Sequence, residues 1–115
     1  MREIKFRAWV KDYALMADVN FLNIDYKEIV VMIDESDYEF NCGEYELMQY
    51  TGLKDMNGTE IYEGDIIECL GEGNGFVTKR YGAYGIETKY GFYPFIEIYG
   101  ELEVIGNIYE HNHLL

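Results

Sequence analysis

The sequence predicts a mainly β fold: an antiparallel meander in the N-terminal half, joined to a small SH3-like barrel or twisted sheet in the C-terminal half. An α+β arrangement is the alternative class. Three observations carry this reading. Residues 4–11 alternate strictly between apolar and charged or bulky side chains, which is the period of a half-buried strand. Apolar segments are short and rich in β-branched and aromatic residues, with aromatics at 17% of the chain. Twelve glycines and a single proline, Pro94, punctuate these segments at turn-like intervals. At 115 residues the chain has the size of one ordinary domain, residues 1–115, and buries roughly 65% of the surface of its unfolded state.

The first strand follows from Ile4, Phe6, Ala8 and Val10 alternating with Lys5, Arg7, Trp9 and Lys11. Trp9 falls on the charged side and is expected to cover a second small core. A second strand is expected over Val19 to Ile24, a turn at Asp25-Tyr26-Lys27-Glu28, and an antiparallel partner over Ile29 to Ile33. Residues 34–46, DESDYEFNCGEYE, pair Ser36 with Glu39 at the spacing of a helix capping box, while Gly43 prevents anything longer than two turns. A short helix or loop is the expectation there. The acids of this segment lack the regular oxygen spacing and closing glutamate of an EF-hand loop.

The stretch LMQYTGLKDMNGTEIYEGDII, residues 47–67, is the densest motif in the chain. Leu47 to Tyr50 extends as strand; Asp55-Met56-Asn57-Gly58 is a turn; Glu63-Gly64-Asp65 is a second turn leading into a strand at Ile66 to Leu70. Glu63 and Asp65 form a carboxylate pair of the kind used in acid-base chemistry. Beside a turn glycine, however, carboxylates more commonly cap backbone amides, and no nucleophile, base or metal ligand accompanies them. The motif therefore reads as scaffold.

Farther on, Gly71-Glu72-Gly73-Asn74-Gly75 lacks the lysine of a phosphate loop and carries an acid in its place, so it reads as a hairpin connection. Strands are expected at Phe76 to Tyr81, Ile86 to Tyr90 and Leu102 to Tyr109. Tyr81, Tyr84, Tyr90, Phe92, Tyr93, Phe95 and Tyr99 gather in this half as an aromatic cluster suited to core packing and to a protein contact. His111 and His113 supply only two potential metal ligands, where zinc needs three or four, and are expected on a frayed terminus.

Net charge is −13, which repels polyphosphate and disfavours DNA or RNA as a partner. Thirteen acids and one base, Lys54, lie between Glu28 and Thr78, whereas Arg2, Lys5, Arg7 and Lys11 make the first strand basic. From Gly58 onward, ten acids face three bases, Lys79, Arg80 and Lys89, so even the aromatic half lacks the positive groove of single-strand binders. Cys42 and Cys69 form no Cys-x-x-Cys pair and fit a reducing compartment. The longest apolar run, Ile29 to Ile33, is far short of a membrane span, and the N-terminus has no apolar export segment. A cytoplasmic setting without membrane contact is the expectation.

Three blocks, KFRAW at 5–9, the long motif at 47–67 and VIGNIYE at 104–110, resemble the YopX family of small phage and prophage proteins. The resemblance implies a mostly β protein made in the bacterial host cytoplasm from a phage or prophage gene. It carries over no catalytic residue and no cofactor. Residues 68–103 contain no matching block, and the tail His111-Asn112-His113 departs from an Asn-Pro-Glu-like ending. The functional expectation is an accessory protein without enzymatic activity that binds a host or phage protein, with a homo-oligomer also open. An acidic DNA mimic that inhibits a host nucleic-acid-binding protein is the second class. Nucleic-acid binding through the small-barrel half is the third. No catalytic, cofactor-binding or metal-binding residue is assigned.

Overall fold

The computed structural model describes residues 4–69, 73–95 and 102–115. Eleven strands dominate these residues, with two short 3-10 turns. The chain is mainly β, with antiparallel pairing throughout. The residues group into two compact units, 4–49 and 50–115.

In the N-terminal unit, β1 (Phe6–Val10), β2 (Leu15–Asn23), β3 (Glu28–Ile33) and β4 (Ser36–Phe40) form successive hairpins. The first residues of β5 (Tyr45–Lys54) pair with the other side of β1, so the order is β4-β3-β2-β1-β5. β2 starts four residues earlier than its apolar pattern predicts. The reason lies in the preceding turn: Lys11–Tyr13 coil tightly, Ala14 takes a φ of 49°, and the chain reverses at once so that Leu15 faces Val10. One face of the sheet buries Ala8, Val10, Ala17, Ile29, Val31 and Phe40. Each fully buried Val or Ile contributes about 1.5–3 kcal/mol by leaving water. Tyr13 packs edge-on against Phe40 and Tyr38, and the Tyr45 hydroxyl donates to the carbonyl of Lys27 in the β2–β3 turn.

Residues 36–40 are a strand, not the short helix or loop that Ser36 and Glu39 predicted. Asp34 and Glu35 both take positive φ, 51° and 68°, and this two-residue turn sets Ser36 opposite Ile33. Once paired with β3, residues 36–40 are extended, and Ser36 has no helix to cap. The capping geometry appears instead a few residues on, where the Glu44 carboxylate accepts the Asn41 amide at 2.7 Å.

The C-terminal unit contains β6 (Glu60–Tyr62), paired with the end of β5, and a sheet of β7 (Asp65–Cys69), β8 (Gly73–Arg80), β9 (Ala83–Thr88), β10 (Gly91–Pro94) and β11 (Leu102–Asn107). The order is β10-β9-β8-β7-β11, with β10 and β11 at its ends. Gly73–Gly75 open β8 and are not a loose connection, while Gly71 and Glu72 lie outside the described residues. β10 was not predicted; Pro94, which lacks an amide proton, ends it at the edge of the sheet. Ile61, Ile67, Val77, Ile86, Phe95 and Leu102 form the core of this unit.

The β3–β4 turn yields a test. Glu35 holds a backbone conformation that favours glycine, and Asp-Gly is a preferred pair for such turns. Glu35→Gly is expected to raise stability by about 0.5 kcal/mol, the relief of strain partly offset by the freer unfolded chain. Urea unfolding at neutral pH checks this; a loss of stability would contradict the turn geometry.

Candidate functional site

Residues 50–67 show what the dense motif does. Asp55 is 9% exposed, and its two carboxylate oxygens accept three backbone amides: Asn57 at 2.8 Å, Thr59 at 2.9 Å and Val104 at 2.9 Å. Its own amide donates to the Thr59 carbonyl and its carbonyl accepts from Gly58, closing the 55–59 turn on itself. The Met56 amide donates to the Leu102 carbonyl. Together the Asp55 side chain and the Met56 amide take up a donor and an acceptor of β11, so the turn stands where a neighbouring strand would. Burial by itself would raise the Asp55 pKa, but the three amide donors outweigh it and hold the carboxyl below its ordinary range.

Thr51, also buried, donates its hydroxyl to the Ile61 carbonyl and accepts the Leu53 amide. The Asp65 carboxylate accepts the Tyr62 amide at 2.7 Å and is 2% exposed. Between them Gly64, at a φ of 85°, donates to the Val77 carbonyl and accepts from Ile108, tying the turn to β8 and to the residues after β11. Glu63 remains partly exposed. The pair proposed from sequence, Glu63 and Asp65, thus differs in setting: Asp65 is buried and holds a turn amide, and Glu63 is partly exposed. Asp55 accepts three backbone amides, and sequence reasoning passed over it. An aspartate two residues before Asn-Gly is a recognisable Asx-turn signal, but its bond to Val104, 49 residues away, has no local signature.

The other sequence candidates are dispersed. Phe95 is core, and Tyr84 packs against that core; Tyr93 is half-buried opposite Ile86; Tyr81 and Tyr90 are exposed; Tyr99 lies outside the described residues. The predicted single aromatic cluster is therefore corrected, because Tyr81 and Tyr90 fall in the turns between strands while Phe95 and Tyr84 pack at the core. Lys79 lies over the Tyr84 ring, Arg80 over Phe92 and Lys89 over Tyr90, at 5.3, 6.0 and 5.1 Å. Arg80 also pairs with Glu87.

The C-terminal tail is docked, not frayed. Asn107 accepts the amides of Tyr109 and Glu110 on its side-chain oxygen, and its own amide donates to Nδ1 of His111. The His111 ring occupies space that a side chain on Gly106 would fill, with ring atoms 2.7 Å from the position of a Cβ there. Asn74 then holds the Leu114 carbonyl at 2.9 Å. His111 and His113 sit with ring centroids 6.4 Å apart, and among the described residues no group of three His, Cys, Asp or Glu side chains is placed to hold a metal. No helix of the described residues is long and apolar enough to cross a membrane.

The N-terminal unit carries the more distinctive surface. The β2–β3 ladder runs from Asn23–Glu28 to Val19–Val31 and stops; beyond it, β2 residues 15–18 stay paired with β1 while Met32 and Ile33 stay paired with β4. The diverging strands open a groove of about 550 Å³ lined by Leu15, Met16, Asp18, Met32, Asp34 and Glu35 among others. A bulge in β2 between Val19 and Phe21 turns Phe21 outward beside Val30, leaving it 58% exposed, and Met32 is 55% exposed. Apolar side chains are thus ringed by carboxylates.

Asp55 gives the prediction here. A carboxyl whose folded pKa is depressed stabilises the fold above its unfolded value near 3.9 and loses that contribution as pH falls through the folded value. Asp55→Asn replaces one acceptor by a donor facing amides and is expected to cost about 2 kcal/mol at pH 7. The gap between parent and variant should narrow as pH drops below about 4. Denaturant unfolding at several pH values measures both, and a gap independent of pH would contradict the role assigned to the charge.

The model of the family described as YopX protein matches residues 5–115. The crystal structure of protein EF1440 from Enterococcus faecalis is similar over 100% of this chain and 99% of its own, with a TM-score of 0.71 and 26% identity. No curated protein matches the chain. With the family model spanning both units and all three sequence blocks, the chain belongs to the YopX family.

Proposed function

We propose that the protein is a non-catalytic protein-binding module encoded by a phage or prophage gene, and that it engages a basic host or phage protein through the groove between β2 and β3. The observation that carries this reading is the groove itself, where exposed Met32 lies with Met16 and with Asp18, Asp34 and Glu35 on one open surface. Apolar contacts supply affinity and the acidic rim steers and selects a cationic partner. A non-catalytic role is supported by the use of Asp55 and Asp65: their carboxylates accept backbone amides, which is structural work.

The DNA-mimic reading draws on the same acids and differs in requiring that duplex DNA compete for the partner. Direct binding of single-stranded nucleic acid draws less support. The rings that would stack on bases already have Lys79, Arg80 and Lys89 over them, and Arg80 shares its charge with Glu87.

A tagged copy expressed in infected or lysogenic cells should co-purify with a basic protein. Its affinity is expected to fall between 0.1 M and 1 M salt, as the Debye length contracts from about 10 Å to about 3 Å. Asp34→Asn/Glu35→Gln/Asp37→Asn, which neutralises two groove acids and Asp37 on β4 opposite Met32, should weaken binding about tenfold, the combined effect of three charges of a few tenths to 1 kcal/mol each. Affinity indifferent to salt and to that triple substitution would remove the groove as the contact. Turnover of a phosphoester or peptide by the purified protein, lost in Asp65→Asn or Glu63→Gln, would overturn the non-catalytic reading.

A further inference from the structure

The tip of the β8–β9 hairpin is built in a way that its own unit does not explain. Arg80 pairs with Ala83 across a two-residue turn, Tyr81-Gly82, whose residues take φ of 54° and 80°. Such a turn favours Asn-Gly; a bulky aromatic in the first position is conformationally disfavoured. Burial does not compensate, because Tyr81 is 100% exposed. Lys79 and Arg80, both exposed, flank it. A strained residue whose ring touches none of its own core is accounted for by a contact outside the molecule.

We infer that the Tyr81 tip of one copy docks into the β2–β3 groove of a second copy, the ring resting against Met16 and Met32 and the exposed Lys79 and Arg80 side chains leaving the Tyr84 and Phe92 rings and Glu87 to meet Asp18, Asp34 and Glu35. This rests on the groove's proposed role as a docking surface and gives it a specific occupant. Charge complementarity selects that occupant. In a chain of net charge −13, the tip joins two of the three bases found after Gly58, and the groove carries three carboxylates around exposed methionine. The groove, at about 550 Å³, has ample room for one tyrosine side chain. Where the strands part, β2 residues 15–18 and β3 residues 32–33 are not paired with one another, so backbone groups there face the incoming tip. The two surfaces are different, so the contact is head-to-tail and propagates from copy to copy, closing only where the geometry forms a ring. Self-association and capture of a basic partner would then compete for one groove.

Sedimentation of the full chain across a concentration series tests this. The parent should associate, and association should weaken as salt is raised from 0.1 M to 1 M. Tyr81→Asn should abolish association while leaving the melting temperature unchanged or higher, because asparagine suits the turn; a purely structural tyrosine would lower it. Asp34→Lys/Glu35→Lys should also abolish association. Mixing these two variants should restore a discrete one-to-one complex, since each retains the surface the other lacks. A parent protein that sediments as a monomer throughout, or a Tyr81→Asn variant that associates like the parent, overturns the inference. Either result would leave the groove's binding of a basic partner to be judged separately by the salt series on the co-purified protein.

Discussion

The carboxylate of Asp55 is the constraint on which the C-terminal unit most depends. A buried charge is tolerated only where donors replace its hydration, and here the donors are three backbone amides from two distant parts of the chain. Two of them shape the 55–59 turn, and the third joins that turn to β11 at the edge of the sheet. β11 would otherwise expose unpaired groups to solvent or to another chain. One side chain thus closes a turn, covers an edge and links residues far apart in sequence. Thr51, Gly64 and Asp65 repeat the same economy nearby, each satisfying main-chain groups of a neighbouring segment.

In the N-terminal unit the decisive feature is an interruption. An uninterrupted β2–β3 ladder would leave a regular surface, whereas the bulge and early divergence turn Phe21 outward and part the strands around Met16 and Met32. A β-bulge of this kind re-aims side chains without abandoning the sheet. The surrounding acids, Asp18, Asp34 and Glu35, place negative charge beside that exposed apolar surface.

Much of the fold is legible in local pattern. Alternation identifies β1, glycine and Asx chemistry identify the turns at 55–58 and 63–65, and β-branched runs identify β3 and β7. Local signals mislead where pairing outweighs propensity. Ser36 and Glu39 have helix-cap spacing, yet Asp34 and Glu35 turn the chain back on β3 and the ladder absorbs the amides. The aromatic residues from Tyr81 to Tyr99 read as one cluster in a linear sequence, but Tyr81 and Tyr90 fall in exposed turns while Phe95 is core.

Composition and pattern alone therefore determine the β class, the strong negative charge, the principal turns and the family blocks, because each depends on residues within a few positions of one another or on simple counting. Tertiary structure decides the rest. Only the folded chain brings Val104 to Asp55, seats His111 against Gly106, and leaves β2 and β3 apart at Met16 and Met32. These outcomes depend on pairing between segments separated by many residues. Such pairing is set by competition among whole strands for partners, and no local stretch of sequence records the result.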